Sequence, residues 1–244
     1  MKKIEALTTP SFLLDLTKLE ENLKDMAELC RSYGKKLCPM VKTHKSAAIA
    51  ALQAKYGLDS FLTGTLDEAE MLIANGHTEI VLAYPVAGAE NIARVLAMAT
   101  KAHVTLSFDG LEVAREFDRA LGKTGVVMDY LIIIDCGLHR FGVEPDGVVA
   151  LAQALSGLTQ LRLKGIATHP GHVYGKSDLA GVALVAAEEM QALQTASDAL
   201  RAAGFPVAVV ATGSTPTAPM AVQDNNVTTV RPGNYAYYDA IQVA

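Results

Sequence analysis

Five short stretches of the chain carry side chains that could do chemistry. They are Lys42-Thr43-His44-Lys45, Asp135-Cys136-Gly137-Leu138-His139-Arg140, Thr168-His169-Pro170-Gly171-His172-Val173-Tyr174, Thr212-Gly213-Ser214-Thr215-Pro216-Thr217 and Arg231-Pro232-Gly233-Asn234-Tyr235. Lys42 is the sharpest single residue. It closes an apolar run, and an amine desolvated at the mouth of a strand is held neutral and nucleophilic, the form that makes a Schiff base. The same residue also reads as a solvated strand-end lysine, and Lys45 is its neighbouring candidate. Gly213, Ser214 and Thr215 precede a proline and a short helix, where backbone N–H groups and hydroxyls make an anion site. Gly233 and Asn234 offer a second set of free amides. Alone, such a loop reads better as a cap and a turn; two of them side by side favour a phosphate. His169 stays open between core residue, ring-stacking partner and general base. His172 and Tyr174 lie on a loop. The His169/His172 spacing is a poor metal set, because Pro170 and Gly171 intervene and no carboxylate is near. Arg140 and Arg231 read as site cations, as surface residues, or as partners of Asp135 or Asp239.

The elements that position these stretches alternate along the chain. Apolar strands are expected at Ser11–Leu16, Lys36–Lys42, Ser60–Thr65, Glu79–Tyr84, His103–Phe108, Met128–Asp135, Leu161–His169, Val207–Thr212 and Val227–Arg231. Pleat alternation over 36–42 would set Lys36, Cys38, Met40 and Lys42 on one face. Helices are expected at Thr17–Tyr33, with Thr17 and Glu20 as a capping box and Gly34 as the stop. Others are expected near 46–56, 66–75, 90–100 and 177–203. Regular alternation of this kind argues for a parallel sheet covered by helices, and strands apolar on both faces argue for burial on both. A closed (β/α)8 TIM barrel fits better than an open doubly wound sheet, whose Gly-x-Gly-x-x-Gly turn is absent. The organisation reads as a strand and helix over 1–35 leading into a barrel over 36–244. Nine strands is one too many for a barrel, which leaves Ser11–Leu16 over. All five polar stretches follow strands, so all fall on the C-terminal rim.

Composition narrows the class. The 244 residues are 50% hydrophobic and 19% charged, with a net charge of −5, which excludes a disordered or coiled-coil chain and offers no basic footprint for nucleic acid. Cys30, Cys38 and Cys136 are an odd, widely spaced set and read as reduced thiols. No signal peptide or membrane span is expected, and a cytoplasmic location is the default. The chain stops in the apolar run Ile241–Ala244, which reads as a cut rather than a domain end.

Taken together, the motifs resemble the fold-type III pyridoxal-phosphate enzymes, namely the alanine racemase N-terminal barrel and, more closely, the D-threonine aldolase and D-serine dehydratase branch. The resemblance runs from Thr9-Pro10-Ser11-Phe12-Leu13-Leu14-Asp15 to Arg231-Pro232-Gly233-Asn234-Tyr235. It implies a pyridoxal 5′-phosphate cofactor joined to Lys42, with Arg140 near its phenolic oxygen and His169 packed on its ring. Arg231 would face the ring nitrogen. Gly213, Ser214, Thr215, Gly233 and Asn234 would hold the phosphate, with Tyr235 closing that turn. Gly171-His172-Val173-Tyr174 looks like the Gly-His-x-Tyr loop of this branch, which puts Tyr174 beside Lys42 and His169 among the catalytic and cofactor-binding positions. The branch usually reads Arg-Pro-His-x-Lys-Thr-His-Lys; here Cys38 and Met40 replace the Arg and the His. Family members also carry a C-terminal β-domain that supplies a second base or the metal ligands. A divalent metal is therefore expected only in a full-length form, as is a homodimer. The implied activity is a lyase acting on D-amino acids, by aldol cleavage or dehydration. A racemase, a non-catalytic pyridoxal-phosphate-binding single barrel, and a metal- or phosphosugar-using barrel are the rivals. This chain is expected to bind the cofactor and to be inactive alone.

Overall fold

The alternation read from the sequence becomes a single parallel sheet of eight strands with helices outside it. The computed structural model describes residues 4–58 and 60–238. The strands are β1 (Lys36–Leu37), β2 (Phe61–Thr63), β3 (Glu79–Leu82), β4 (His103–Phe108), β5 (Met128–Ile133), β6 (Leu161–Ala167), β7 (Val209–Thr212) and β8 (Thr229–Val230). The helices are α1 (Leu16–Ser32), α2 (Ala47–Ala54), α3 (Leu66–Ala74), α4 (Ala89–Ala99), α5 (Leu111–Leu121), α6 (Val148–Leu155), α7 (Leu179–Ala202) and α8 (Ala218–Ala221). The order β1-β8-β7-β6-β5-β4-β3-β2 leaves β1 and β2 as the edges. A parallel bridge between Met40 and Leu62 brings those edges together, with Leu62 N–H donating to the Pro39 carbonyl at 3.0 Å. The result is the (β/α)8 barrel.

Three expectations are corrected. Ser11–Leu16 forms no strand: residues 11–15 carry no regular structure, Phe12 and Leu13 are exposed, and Leu16 already opens α1. The leftover ninth strand is thus not a strand, because nothing described pairs with it. The α1 cap is Asp15, whose carboxylate accepts from the Thr17 and Lys18 amides, rather than Thr17 with Glu20. The Lys36–Lys42 strand is regular only over Lys36–Leu37, because Pro39 has no N–H for the ladder and Val41–Thr43 close into a 3-10 turn. Lys42 therefore stands on a turn above the barrel rim. Helices α5 and α6 add to those read from sequence.

Alternation along the strands separates two cores. Met128, Tyr130 and Ile132 of β5 face the helices, within the large apolar layer between sheet and helices. Leu131, Ala167 and Ala211 pack inside the barrel with Val81 and Val209. At the N-terminal ends of the strands the interior is charged. Asp129 accepts from Arg162 Nε at 2.5 Å and from His103 Nε2 at 3.1 Å, while His103 Nδ1 meets Glu79 at 2.7 Å. This ion cluster plugs the end of the barrel remote from the polar rim. Gly165 lets β6 bulge there: its φ is +149°, and a Cβ would sit 1.8 Å from the Val209 carbonyl oxygen. No described helix is long and apolar enough to cross a membrane.

Candidate active site

At the C-terminal rim the loops after the strands converge on a cavity of about 270 Å³. Met40, Leu62, Ala83 and Ile133 give it an apolar floor, and Tyr84, Phe141 and Tyr174 give it aromatic walls. Lys42, Arg140 and Arg231 line it, and no carboxylate does among the described residues. Gly213, Ser214, Gly233 and Asn234 form one side. Such a cavity, cationic and hydroxyl-rich with an apolar bed, suits a flat anionic ligand.

The loops are pinned to one another by hydrogen bonds. Thr43 Oγ1 donates to Asn234 Oδ1 at 2.9 Å. The Ser46 amide donates to His44 Nδ1 at 3.1 Å, which leaves Nε2–H to donate to Gln53 Oε1 at 3.2 Å. Gln53 Nε2 in turn donates to the buried Tyr235 hydroxyl at 2.8 Å. Burial drives the His44 pKa down to about 4, against the hydrogen bonds of Gln53 and Ser46. The Lys42 turn and the 233–236 turn are thereby one unit.

Lys42 is exposed, so the desolvation expected of a strand-end amine is not seen; its Nζ lies 3.5 Å from the Tyr84 hydroxyl. Tyr84, in the loop after β3, went unnoticed in the sequence, although it follows a strand like the other rim residues. Its ring meets Phe141 edge-on at 5.1 Å, and the Arg140 guanidinium lies over both rings, at 5.3 Å from Tyr84 and 4.4 Å from Phe141. Arg140 makes no ion pair with Asp135. That carboxylate accepts instead from the Gly137 and His139 amides and from His139 Nδ1, and it folds the 135–142 loop. Asp135, His139 and Glu144 come close enough together to share a cation.

His169 follows β6 and donates from Nδ1 to the Gly213 carbonyl at 2.9 Å, which fixes the tautomer. Burial pushes its pKa down to about 4, helped by the charges of Lys42, Arg231 and Arg140 and opposed by the Gly213 bond. The ring is neutral at neutral pH. Gly171 keeps space beside it: a Cβ there would lie 2.9 Å from Leu138 and 3.2 Å from His169 Nε2. Gly213 is equally constrained, at φ +142° with a notional Cβ 2.8 Å from the Arg231 amide nitrogen.

Arg231 is 8% exposed, with Nη2 donating to the Thr168 carbonyl at 2.6 Å and Nε buried without a partner. Burial lowers its pKa, while Cys38, Glu189 and Tyr84 pull it the other way. Its alternative partner Asp239 lies outside the described residues. Thr215 and Tyr235 do not line the cavity. The Thr215 hydroxyl accepts from the Tyr235 amide at 2.9 Å, so the pair ties the two glycine loops together from behind. His172 does not line the cavity: both its ring nitrogens are buried, and Nε2 lies 3.5 Å from Glu188.

The model of the alanine racemase N-terminal domain matches residues 14–240. The chain belongs to that family. Within it, D-threo-3-hydroxyaspartate dehydratase of Delftia sp. (strain HT23) is 33% identical over 239 residues, covering 96% of this chain and 62% of that protein. D-threonine aldolase of Arthrobacter sp. is 27% identical and covers 95% of this chain and 61% of its own. The solved structure of D-threonine aldolase from Filomicrobium marinum superposes with a TM-score of 0.93 at 27% identity, over 98% of this chain and 65% of that one. The chain therefore spans less than two thirds of these relatives. The barrel of this chain corresponds to the alanine racemase N-terminal domain.

Proposed function

We propose that the cavity binds pyridoxal 5′-phosphate and that the whole enzyme is a lyase of the D-threonine aldolase and D-serine dehydratase type, acting on small D-amino acids. One observation carries the reading: a single cavity presents a lysine amine, two arginine cations, no carboxylate among the described residues, and two glycine loops, one of them carrying Ser214. The residues fit the cofactor. The buried, unpartnered Nε of Arg231 is a donor awaiting an acceptor. Gly213 and Gly233 let the loops that line the cavity close on their neighbours: a Cβ would lie 2.8 Å from the Arg231 amide nitrogen at Gly213, and 3.1 Å from Met40 and from Thr43 Oγ1 at Gly233.

When bound, the cofactor supplies an electron sink for charge developing at the substrate Cα. Lys42 would hold its aldehyde carbon. Ser214 and the amides of the glycine loops would hold its phosphate. His169, neutral and fixed by Gly213, offers a ring face rather than a charge. Arg231 keeps its proton at any physiological pH and so would disfavour protonation of a ring nitrogen beside it. Arg140, held over Tyr84 and Phe141, places a cation at the opposite wall, where a phenolate oxygen or a substrate carboxylate would be met. Tyr174 offers a phenol at the same cavity. A divalent metal, if the enzyme uses one as its relative's metal-free mutant form suggests, would take ligands from outside this cavity lining, which has no carboxylate.

The test is an absorbance titration with pyridoxal phosphate, borohydride reduction and peptide mapping. The expected result is a reduced adduct on Lys42 that Lys42→Ala abolishes. An adduct elsewhere, or persistent absorbance in Lys42→Ala, refutes the assignment. Turnover of D-threonine, D-serine and D-threo-3-hydroxyaspartate by an enzyme extended to its relatives' length then separates cleavage from dehydration.

A further inference from the structure

Glu189 lies in the middle of α7 and is fully buried. It occupies the helix's apolar stripe, between Val185 and Ala186 on one turn and Ala192 and Leu193 on the next. Its Oε1 accepts from the hydroxyl of Thr212, the last residue of β7. The Thr217 hydroxyl and the Gly213 amide also favour its charged form. Thr217 is itself bonded to Ser214, with the two hydroxyl oxygens 3.0 Å apart. The carboxyl group is thus bonded to Thr212 at the base of the Gly213–Thr217 loop and lies outside the cavity lining. Its Oε2 is buried without a partner. An anionic oxygen with no donor is the costlier state of such a group.

We propose that Glu189 is a positioning residue that sets the affinity of the anion end of the cavity: as a neutral acid it braces the Thr212–Thr217 loop, and as a carboxylate it repels a phosphate held there. The inference rests on the anion-binding reading given above. Burial pushes the Glu189 pKa up to about 8, opposed by Thr217, Gly213 and the Arg231 charge. The titratable groups that face it are Arg231 after β8 and Cys136 after β5; burial holds the Cys136 pKa high, with Glu189 adding to the shift. On the other elements packed against α7, β7 and α8 carry no charge. Arg162 and Lys164 of β6 are engaged by Asp129 at the far end of the barrel. Asp146 and Lys176 are exposed, and His172 pairs with Glu188.

The test uses 4′-deoxypyridoxine 5′-phosphate and 4′-deoxypyridoxine, which lack the aldehyde and so form no bond to Lys42. The ratio of their affinities, measured by calorimetry from pH 7 to pH 9, isolates the phosphate contribution, because the phosphate's own second ionisation, near pH 6, is complete over that range. The ratio is expected to fall on the order of tenfold in the unmodified chain, the effect of one like unit charge about 12 Å away at an effective dielectric near 20. Glu189→Gln should hold it flat at its pH 7 value, and Cys136→Ser should leave the fall intact. A flat ratio in the unmodified chain overturns the proposal. So does a fall that persists in Glu189→Gln or disappears in Cys136→Ser. If Glu189→Gln does not fold, the other two proteins still decide between these outcomes. A phosphate that adds nothing at any pH instead strikes the anion-end reading itself.

Discussion

Replacing Arg231 with methionine should make the cofactor-free chain more stable and the cofactor-binding chain worse. Arg231 is 8% exposed, and among the described residues its guanidinium pairs with no carboxylate and has one hydrogen bond, to the Thr168 carbonyl at 2.6 Å. Desolvating such an ion costs several kcal/mol. The charge-assisted bond offsets roughly 1.5–3 kcal/mol of that. A methionine of similar length removes both and fills the space with apolar contacts. The net expectation is a gain on the order of 1–2 kcal/mol, seen as a rise of about 3–6 °C in Tm for a domain of this size. The assay is urea unfolding at pH 7 without cofactor, followed by circular dichroism, with the m-value checked for constancy. In parallel, affinity for pyridoxal phosphate should drop at least tenfold. A loss of more than about 1 kcal/mol in the cofactor-free protein would refute the reasoning. It would mean that Arg231 is a structural cation whose bond to Thr168 outweighs its burial.

Four further outcomes follow from the same geometry. Gly213→Ala should cost about 2–4 kcal/mol in urea unfolding, since it combines a forbidden φ with the loss of the 2.7 Å bond from the Arg231 amide to the Thr212 carbonyl; an effect below about 0.5 kcal/mol would show that β8 moves freely. His169 and His44 are both depressed to about 4, so the folded chain binds fewer protons than the unfolded one between pH 6.5 and 4. Tm should fall across that window, and less steeply in His169→Phe. For His103, burial lowers the pKa but the bonds and charges of Glu79 and Asp129 outweigh it, leaving it raised. Its contribution is present below about pH 6.5 and lost as pH rises through the folded value, and at this exposed site it is under about 1 kcal/mol, so His103→Gln should narrow the Tm difference between pH 6 and pH 8.5. Asp129 shows the opposite sign: burial raises its pKa, but Arg162, His103 and Lys164 together lower it. Asp129→Asn should cost about 1–2 kcal/mol at pH 7, shrinking as pH drops below about 4, and a pH-independent cost would assign the loss to packing alone.

The sequence displayed the barrel because its strands are short and apolar and its helices end in glycine. The polar stretches at five strand ends were legible because a parallel barrel puts all such ends on one rim. What escaped reading was set by contacts across the chain. Pro39 stops β1 after two residues and turns Lys42 onto a 3-10 turn, which pleat counting could not register. Tyr84 and Phe141 become site residues only once Arg140 stacks on them. Thr215 and Tyr235 sit in suggestive motifs, yet their side chains face away from the cavity and bind the loops together. Glu189 left a trace, a lone acid in an apolar helical stripe, but its purpose appears only when Thr212 and Thr217 are brought beneath it.

The barrel is closed at its thinnest place. β1 and β8 are two residues long, they pair over two positions, and among the described residues a single bridge joins the β1 side to β2. Lys42, Gly233 and Gly213 stand on the loops that flank this seam. A molecule held between them would act as a clasp, fastening strands that the backbone alone joins weakly. Binding there would lend the fold a stability that grows with the logarithm of ligand concentration. Amide exchange at Cys38, Met40 and Leu62 would slow first, ahead of any change in the long β5–β6 ladder.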